Sequence, residues 1–355
     1  MKRHHLAALV LLAAVSAGAL VLAGSGGATV ARPVHTVLTT RQPIFAFAQG
    51  SDQVTWIDRA KRGQQTGCAM DVRRLGRRRT GVYPLPSCAL LLRSVPLALA
   101  NGEAGWSTDY DHCPTLECKW KVVGISANPN HREFSYAVSV PCIVVYPDKC
   151  GTETGTSPIV RGAGSLLAYN ADGVGKPQAG ERERVDVLVG GVARRLLAVD
   201  GVIQGLQVGG GVIQTINQVC TPNCGSHSLG TGLFTASGKP LAKLAPSPVV
   251  LAGNIAAVLN TAAGEISLYN AFTGTQLASV AVANANNVSL VGGDTQWLVF
   301  HIGRAISALN VNTHQIVPLT RTAPNPLDVS LSGHRVAWAE NIHGHGRIRA
   351  LQLPN

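Results

Sequence analysis

Acidic and amide side chains recur in this chain just after short apolar stretches, where carboxylate and amide oxygens could bind a cation or a polar ligand. Nine residues share this position: Asp58, Asp109, Asp111, Asp172, Asn217, Asn260, His301, Glu340 and Asn341. If the apolar stretches are strands arranged around one axis, these side chains form a channel-face binding site. Asp and Asn also favour the start of a turn, because their side chains hydrogen-bond the following backbone, so each could instead serve its own turn.

Sequence signatures of catalysis are few. A glycosidase needs two facing carboxylates, but Asp109 and Asp111 share one loop. Ser165 lies in a predicted β-turn of GAGSLLAY rather than in a nucleophile elbow. His343 and His345 in HGHGR have no third assigned metal ligand. The sequence therefore predicts no catalytic residues, no bound metal and no cofactor, although a cation at the channel face stays open.

The eight cysteines fall into sequence-local pairs: Cys68 and Cys88, Cys113 and Cys118, Cys142 and Cys150, and Cys220 and Cys224. A zinc site would need Cys-x-x-Cys-type spacing with matching partners, so the pattern favours disulfides in an oxidising compartment. Short closures such as CPTLEC and CTPNC would each contribute on the order of 2 kcal/mol. Eight cysteines allow about 105 connectivities, so the pairing stays open.

Residues 1–31 predict a secretory signal peptide. A basic start, MKRHH, is followed by the apolar run LAALVLLAAVSAGALVLAG and by the small residues SGGATVA, which favours cleavage near Ala28 or Ala31. The apolar run approaches spanning length, so an uncleaved anchor is the alternative. Residues 32–355 are then a single secreted or extracytoplasmic domain, placed in a bacterial cell envelope.

An apolar alternation, a turn and a second alternation recur along the chain. The hits are FAFAQGSDQVTWID (Phe45–Asp58), LALANGEAGWSTD (Leu97–Asp109), IVRGAGSLLAYNAD (Ile159–Asp172), GLQVGGGVIQTIN (Gly205–Asn217), VVLAGNIAAVLN (Val249–Asn260), VSLVGGDTQWLVFH (Val288–His301) and VSLSGHRVAWAEN (Val329–Asn341). A second hairpin follows each of them, as in GEISLYNAFTGTQLASVAV. Four strands per repeat, at a period of roughly 40–50 residues, predict the blades of a β-propeller.

The chain ends predict how the ring closes. The last repeat is followed by only one more strand, GRIRALQL, and the early segment HTVLTTRQP (His35–Pro43) resembles the fourth strand in QIVPLTRTAP. We therefore expect the N-terminal strand to complete the last blade and leave no open sheet edge. The fold class predicted is an all-β, seven-bladed β-propeller. Six blades are the alternative, if the irregular stretch 142–225 forms one blade with insertions.

This repeat pattern resembles the TolB-like and WD40-like bacterial propellers over nearly all of residues 34–355. LYNAFTGTQLASV is similar to a quinoprotein-type repeat, with Asn where that family places Asp. Gly333-His334 matches the Gly-His dipeptide of WD40 repeats without the Trp-Asp dipeptide. The resemblance implies architecture and leaves function open, since propellers host many unrelated activities.

The formal net charge of +11 is unevenly distributed. One basic group lies at a predicted third-to-fourth strand turn on the outer rim: Arg73, Arg74, Arg77, Arg78 and Arg79. It favours contact with an anionic envelope polymer or a phospholipid surface, or else it protects an exposed strand edge. Nucleic acid is not expected as a partner, because no aromatic side chains interleave with these arginines.

Two functions remain in view. The first is a secreted, non-catalytic and monomeric propeller that binds a protein or a cell-envelope component through its channel-face loops. The second is a propeller hydrolase or lyase that acts on an extracellular glycan or peptide. The second requires two or three facing acids, or a nucleophile and its base, at the channel mouth.

Overall fold

The computed structural model describes residues 33–62, 65–78, 80–85, 97–100, 103–109, 119–126, 133–139, 159–171, 182–189, 192–220, 226–244 and 249–353. The predicted signal peptide, 1–31, lies outside these residues. Several other predicted positions lie outside them too: Arg79, Cys88, Asp111, Cys113, Cys118, Cys142, Cys150, Asp172 and Cys224. Cys68 is disulfide-bonded, and the predicted pairing of the cysteines stays a prediction.

The described residues form antiparallel strands in chain order, as the alternating apolar pattern predicts. The first sheet contains β2 (Ile44–Gln49), β3 (Gln53–Arg62), β4 (Gln65–Arg74) and β5 (Thr80–Leu85). The second contains β6 (Ala98–Ala100), β7 (Glu103–Asp109), β8 (Lys119–Ser126) and β9 (Glu133–Ser139). The third contains β10 (Val160–Ala163), β11 (Leu166–Ala171), β12 (Arg182–Val189) and β13 (Val192–Asp200), and the fourth contains β14 (Val202–Gly209), β15 (Val212–Cys220), β16 (Ser226–Thr235) and β17 (Pro240–Leu244).

An eight-stranded sheet follows. One half contains β18 (Val249–Ala252), β19 (Ile255–Asn260), β20 (Glu265–Asn270) and β21 (Gln276–Ala281), and the other contains β22 (Val288–Gly293), β23 (Trp297–Ile302), β24 (Ala305–Asn310) and β25 (Ile316–Arg321). A 3-10 turn, Ala285–Asn287, connects the halves along the chain. The two halves pair only through Ala252 and Gly293, in parallel orientation.

The last sheet joins both ends of the described chain. It contains β26 (Asp328–Ser332), β27 (Arg335–Ile342) and β28 (His345–Gln352), and β1 (His35–Thr39) pairs antiparallel with β28. This pairing confirms the predicted closing strand. Because β1 covers the outer edge of β28, that edge is not left unpaired.

Each four-stranded sheet, and each half of the eight-stranded sheet, has one inner strand. Each inner strand contacts the inner strands of the two adjacent sheets, and these contacts close a ring. The contacts run β2 to β6, then β10, β14, β18, β22, β26 and back to β2. These inner strands surround the axis, and the apolar clusters lie between adjacent sheets. Trp338, for example, is fully buried in a cluster that also contains Trp297 and Leu319 of the preceding sheet. The all-β, propeller-like architecture is thus the one that the repeat pattern predicts.

The two ends of this ring are called the start face and the reverse face. At the start face, inner strands begin and second strands end. At the reverse face, the first-to-second and third-to-fourth turns lie. Gly253, with φ of 58°, occupies one such turn, and a Cβ there would meet the Thr295 Cα of the next turn at 3.0 Å. Glycine lets these turns touch, which keeps the inner strands close. Within the described residues, no helix is long and apolar enough to cross a bilayer.

Candidate functional site

Among the predicted channel-face residues, Asn217, Asn260 and His301 lie on second strands towards the start face, and each contacts a backbone group. Asn260 Oδ1 accepts from the Ala263 N–H at 3.1 Å, and His301 Nδ1 lies 3.2 Å from the Gly303 carbonyl oxygen. Asn217 Nδ2 donates to the Asp200 carbonyl at 3.3 Å. The contacts of Asn260 and His301 are those of turn-forming side chains, whereas Asn217 reaches the last strand of the preceding sheet, 17 residues away. The binding role of these residues stays a prediction. Asp109 ends β7, and Asp111 and Asp172 lie outside the described residues.

Asn341 has a longer-range partner. Its Oδ1 accepts a hydrogen bond from the Ile44 N–H at 2.8 Å, and its Nδ2 donates to the Ile44 carbonyl at 2.9 Å. Since Asn341 lies on β27 and Ile44 begins β2, the side chain ties the last sheet to the first at the start face. The reverse face has an equivalent tie, where Arg335 Nε donates to Gln49 Oε1 at 2.8 Å.

Glu340 is fully buried and belongs to an ion cluster on the side of the last sheet that carries Trp338. Arg347 Nε donates to Glu340 Oε1 at 2.7 Å, and Arg349 Nη1 lies 3.9 Å from the same oxygen. The Arg349 guanidinium also lies 5.9 Å from the centre of the Trp338 ring, within cation–π range. The sequence predicted Glu340 as a channel-face binding residue, and that role stays a prediction; in the structure its carboxylate pairs with arginines of its own sheet.

Asp58 forms a carboxyl pair with Asp71. Asp58 lies on β3 and Asp71 on β4, with Trp56 directly opposite Asp71 in the ladder. Trp56 Nε1 donates to Asp58 Oδ2 at 3.3 Å. Burial, together with the neighbouring Asp58 charge and the hydrogen bond to Asp58, raises the pKa of Asp71 to about 7. Burial also raises the pKa of Asp58, although hydrogen bonds from Trp56 and Asp71 oppose that rise. The two carboxyls can therefore share one proton near neutral pH.

A second pair of charged residues lies on two of the inner strands. Arg161 is on β10 and Asp328 begins β26; these inner strands are not neighbours in the ring, yet their side chains interact electrostatically. Asp328 keeps access to solvent, while the surrounding protein desolvates its carboxyl and raises its pKa to about 7; the Val329 N–H and Arg161 act against that rise. Desolvation lowers the pKa of the Arg161 guanidinium, and Asp328 offsets part of that effect. Both residues lie at the start of their strands, so this pair flanks the opening at the start face.

Sequence reasoning missed Arg161, Asp328 and Asp71. A usable signal existed for Arg161, because it is the charged residue in an otherwise apolar inner strand, VRGA. Asp328 directly precedes the apolar alternation that marks the last repeat. Nothing in the sequence joins the two, because they are brought together only by ring closure. Asp71 differs, because its partner Asp58 lies on the neighbouring strand and the register of the β3–β4 pairing brings the two together.

The predicted basic rim is at the expected turn. Arg73 and Arg74 end β4, and Arg77 and Arg78 follow in the turn to β5. Arg73 Nε donates to the Arg77 carbonyl at 2.7 Å, and Arg74 Nε lies 3.8 Å from Asp52 Oδ2. Arg74, Arg77 and Arg78 are exposed. No group of three or more His, Cys, Asp or Glu side chains suited to a metal occurs among the residues that the structure describes.

Two solved structures show what this chain is similar to. One solved structure that matches is BamB from Moraxella catarrhalis, with a TM-score of 0.47 and 11% identity, covering 89% of this chain and 99% of that chain. A chain of the mitotic checkpoint complex matches with a TM-score of 0.52 and 10% identity, covering 92% of this chain and 96% of that chain. The fold is that of a β-propeller. At this identity the likeness concerns architecture alone. No family model and no curated protein matches the sequence.

Proposed function

We propose that this protein is a non-catalytic, extracytoplasmic propeller that binds a protein or a cell-envelope component at its start face. The observation that carries the proposal is the pair Arg161 and Asp328 at the opening. Both side chains belong to inner strands, which the rigid ring holds in place. A partner group that enters this opening meets the Arg161 guanidinium as a hydrogen-bond donor and the Asp328 carboxylate as an acceptor.

The chemistry of this pair suits recognition. Within the part of the chain that the structure describes, Arg161 and Asp328 do not form an ion pair within 4 Å. The surrounding protein partly desolvates both the Arg161 guanidinium and the Asp328 carboxyl. Charge-assisted hydrogen bonds in such surroundings are stronger than neutral ones. A partner group with a carboxylate and an amine or amide could therefore bind both residues at once. The predicted channel-face residues would surround this contact as a polar rim, a role that stays a proposal.

Three further features belong to the proposal. The ring has seven blades, because the eight-stranded sheet divides into two antiparallel halves that share only one bridging pair, and each half supplies one inner strand. The chain acts outside the cytoplasm, which the cysteine content and the N-terminal segment support. Disulfides close the four local cysteine loops, and the disulfide of Cys68 agrees with this expectation.

Site-specific photo-cross-linking in cells tests the start face. A photoreactive phenylalanine analogue is introduced at Ser289, an exposed residue near the start of β22, or at Ser237, an exposed residue in the β16–β17 turn. We expect adducts from Ser289 and few from Ser237. The Ser289 adducts should weaken in the Arg161→Gln and Asp328→Asn variants. The proposal would be wrong if adducts formed in equal amounts at both serines, or if the amount of Ser289 adduct were the same in the two variants as in the wild type.

The hydrolase alternative has one observation in its favour, the carboxyl pair of Asp58 and Asp71. The pair shares a proton as an acid–base dyad does. However, it lies on the second and third strands of its sheet rather than on an inner strand, and Asp71 is only 8% exposed. A glycan or peptide bond cannot reach a carboxyl so covered. Hydrolysis of either substrate class by the full chain, abolished by Asp71→Asn, would reverse this preference.

A further inference from the structure

One outer strand of the ring, β21 (Gln276–Ala281), has an exposed edge. The outer strand of a sheet or half-sheet is the one farthest from its inner strand, and among the described residues no strand pairs with the outer edge of β21. Leu277, Ser279 and Ala281 are exposed. An open strand edge offers unpaired N–H and C=O groups to another extended chain, so proteins commonly block such edges with Pro or charged side chains.

The other outer strands are blocked in this way. Each described outer strand apart from β21 has a Pro or a charged residue within the strand or within two positions of it. These residues are Pro33, Pro84, Glu133, Arg194, Arg195, Pro240, Lys243, Pro318 and Arg321. β21 has none, and the whole segment from Ile266 to Gly293 contains neither a charged residue nor a Pro, in a chain of formal net charge +11. The edge of β21 is therefore open to pairing in a way that the other outer edges are not.

The backbone of β21 directs hydrogen-bonding groups outward. The bulge in its pairing with β20 lies at the Gln276 end, and the rest of the pairing is regular. Val282 N–H, just after the strand, donates inward to the Gly264 carbonyl at 2.9 Å. Because the backbone groups of an antiparallel strand alternate in direction, Ser279 and Ala281 direct their N–H and C=O groups away from β20.

The side chains around this edge favour an uncharged and partly apolar contact. Leu277 is 51% exposed, and Phe272, in the turn before the strand, is 49% exposed. Glu265, on β20, is already engaged within its own sheet, since its Oε1 accepts hydrogen bonds from the hydroxyls of Ser267 at 3.1 Å and Ser279 at 2.9 Å. A second chain at this edge would therefore cover apolar side chains without separating an ion pair.

We propose that two copies of this chain associate through their β21 edges, which pair antiparallel about a two-fold axis at Ser279. In this register the two Ser279 residues form a hydrogen-bonded pair, and Leu277 of each copy lies opposite the small Ala281 of the other. The open edge needs an extended backbone as its partner, and an antiparallel copy of the same strand supplies one. Two chains of net charge +11 repel each other over most of their surfaces, so an uncharged edge is where they can meet.

This contact goes beyond the function proposed for the start face. It joins outer strands, which lie far from the opening, so both start faces stay free to bind a partner. One pair of short strands is a small interface, and we therefore expect a weak dimer that depends on protein concentration. The monomer that the sequence predicted would then be the form present at low concentration.

Disulfide cross-linking tests the register of the pairing. In the Ser279→Cys variant, the paired Cα atoms of the two copies lie about 5.5 Å apart, which a disulfide spans. In the matched Ala281→Cys variant, the two new cysteines lie about 13 Å apart along the strands, which a disulfide does not span. The protein purified from cells is incubated in a glutathione redox buffer and separated on non-reducing gels. We expect a covalent dimer from Ser279→Cys, and monomer from Ala281→Cys and from the wild type.

Three results of this experiment would overturn the proposal. The first is no dimer from Ser279→Cys, and the second is an equal amount of dimer from Ser279→Cys and Ala281→Cys. The third is a disulfide that Ser279→Cys forms in cells with a different protein in place of the second copy.

Sedimentation measures the association without a cross-link. The average mass of the purified protein should rise from that of one chain toward twice that value as its concentration increases. Ala281→Pro removes an outward N–H but no hydrogen bond to β20, and it should weaken the dimer about 30-fold, because both copies lose the bond. Ala281→Ser keeps the N–H and should leave the dimer unchanged. A wild type that stays monomeric at every concentration, or an Ala281→Pro dimer as strong as that of the wild type, would contradict the pairing.

Discussion

The side-chain amide of Asn341 replaces a strand partner for Ile44, since it binds both the N–H and the carbonyl of that residue across the boundary between the last and first sheets. The two residues are 297 positions apart in the chain. With the β1–β28 pairing and the Arg335 bonds on the reverse face, this clamp closes the ring.

Replacing Asn341 with Ala should destabilise the fold by about 2–4 kcal/mol, because two backbone groups of a fully buried residue lose their partners. Urea unfolding followed by tryptophan fluorescence measures the change. Asn260→Ala is the matched control, since its single bond lies in an exposed turn, and it should cost less than about 1 kcal/mol. Equal losses in the two variants would contradict the clamp.

The Arg335 hydrogen bonds on the reverse face depend on the forked shape of the guanidinium group. Arg335 reaches Gln49 Oε1, the Ser51 carbonyl at 3.1 Å and the Gly50 carbonyl at 2.5 Å with three nitrogens. Arg335→Ala should lower the unfolding free energy by about 2–3 kcal/mol, and Arg335→Lys should restore less than half of it, because an ammonium cannot make this fork. Thermal unfolding checks both variants. Arg321→Ala, at an exposed strand end, should change little, and full rescue by lysine would argue against the fork.

Stability should fall as pH rises, because of Asp71. Its folded-state pKa, about 7, is above the unfolded value of 3.8, so the folded state binds the proton more tightly. The stabilisation is therefore complete below about pH 4 and is lost as pH rises through about 7, by at most roughly 4 kcal/mol. Urea midpoints measured across this range should decline in the wild type. The Asp71→Asn variant keeps a hydrogen-bond donor toward Asp58 and should lose this component of the decline, whereas an unchanged slope would show that other groups cause it.

The buried Glu340 cluster should show strong coupling. Arg347→Met leaves the Glu340 carboxylate buried with only Arg349 nearby at 3.9 Å, and it should cost about 3–5 kcal/mol. Glu340→Met leaves Arg347 and Arg349 unneutralised and should also destabilise the fold. The double variant should be more stable than the sum of the single losses predicts, and a double-mutant cycle measures the difference. Additive losses would mean that the ion pair contributes nothing specific.

Much of the fold was predictable because it depends on residues that are close together in the sequence. Alternation with period two and recurring turns place the strands, and the likeness of His35–Pro43 to a fourth strand predicts the closing strand that pairs with β28. The candidate site was much less predictable. The position of Glu340 near the end of its strand predicted that its carboxylate would lie at the channel face. The pairing of β27 with β28 instead places that carboxylate beside Arg347 and Arg349.

The amino-acid sequence by itself determined the strand pattern, the sheet order along the chain and the turn at which the arginines lie, because each depends on residues a few positions apart. Only the tertiary structure decided that Arg161 interacts electrostatically with Asp328, that Asp58 shares a hydrogen bond with Asp71 and that the Asn341 amide binds the Ile44 backbone. Those relationships depend on strand pairing, ring closure and the desolvation that they create. The electrostatic partner of a charged residue on an inner strand, such as Arg161, therefore belongs to a different sheet of the ring. No pattern in the neighbouring residues specifies that partner.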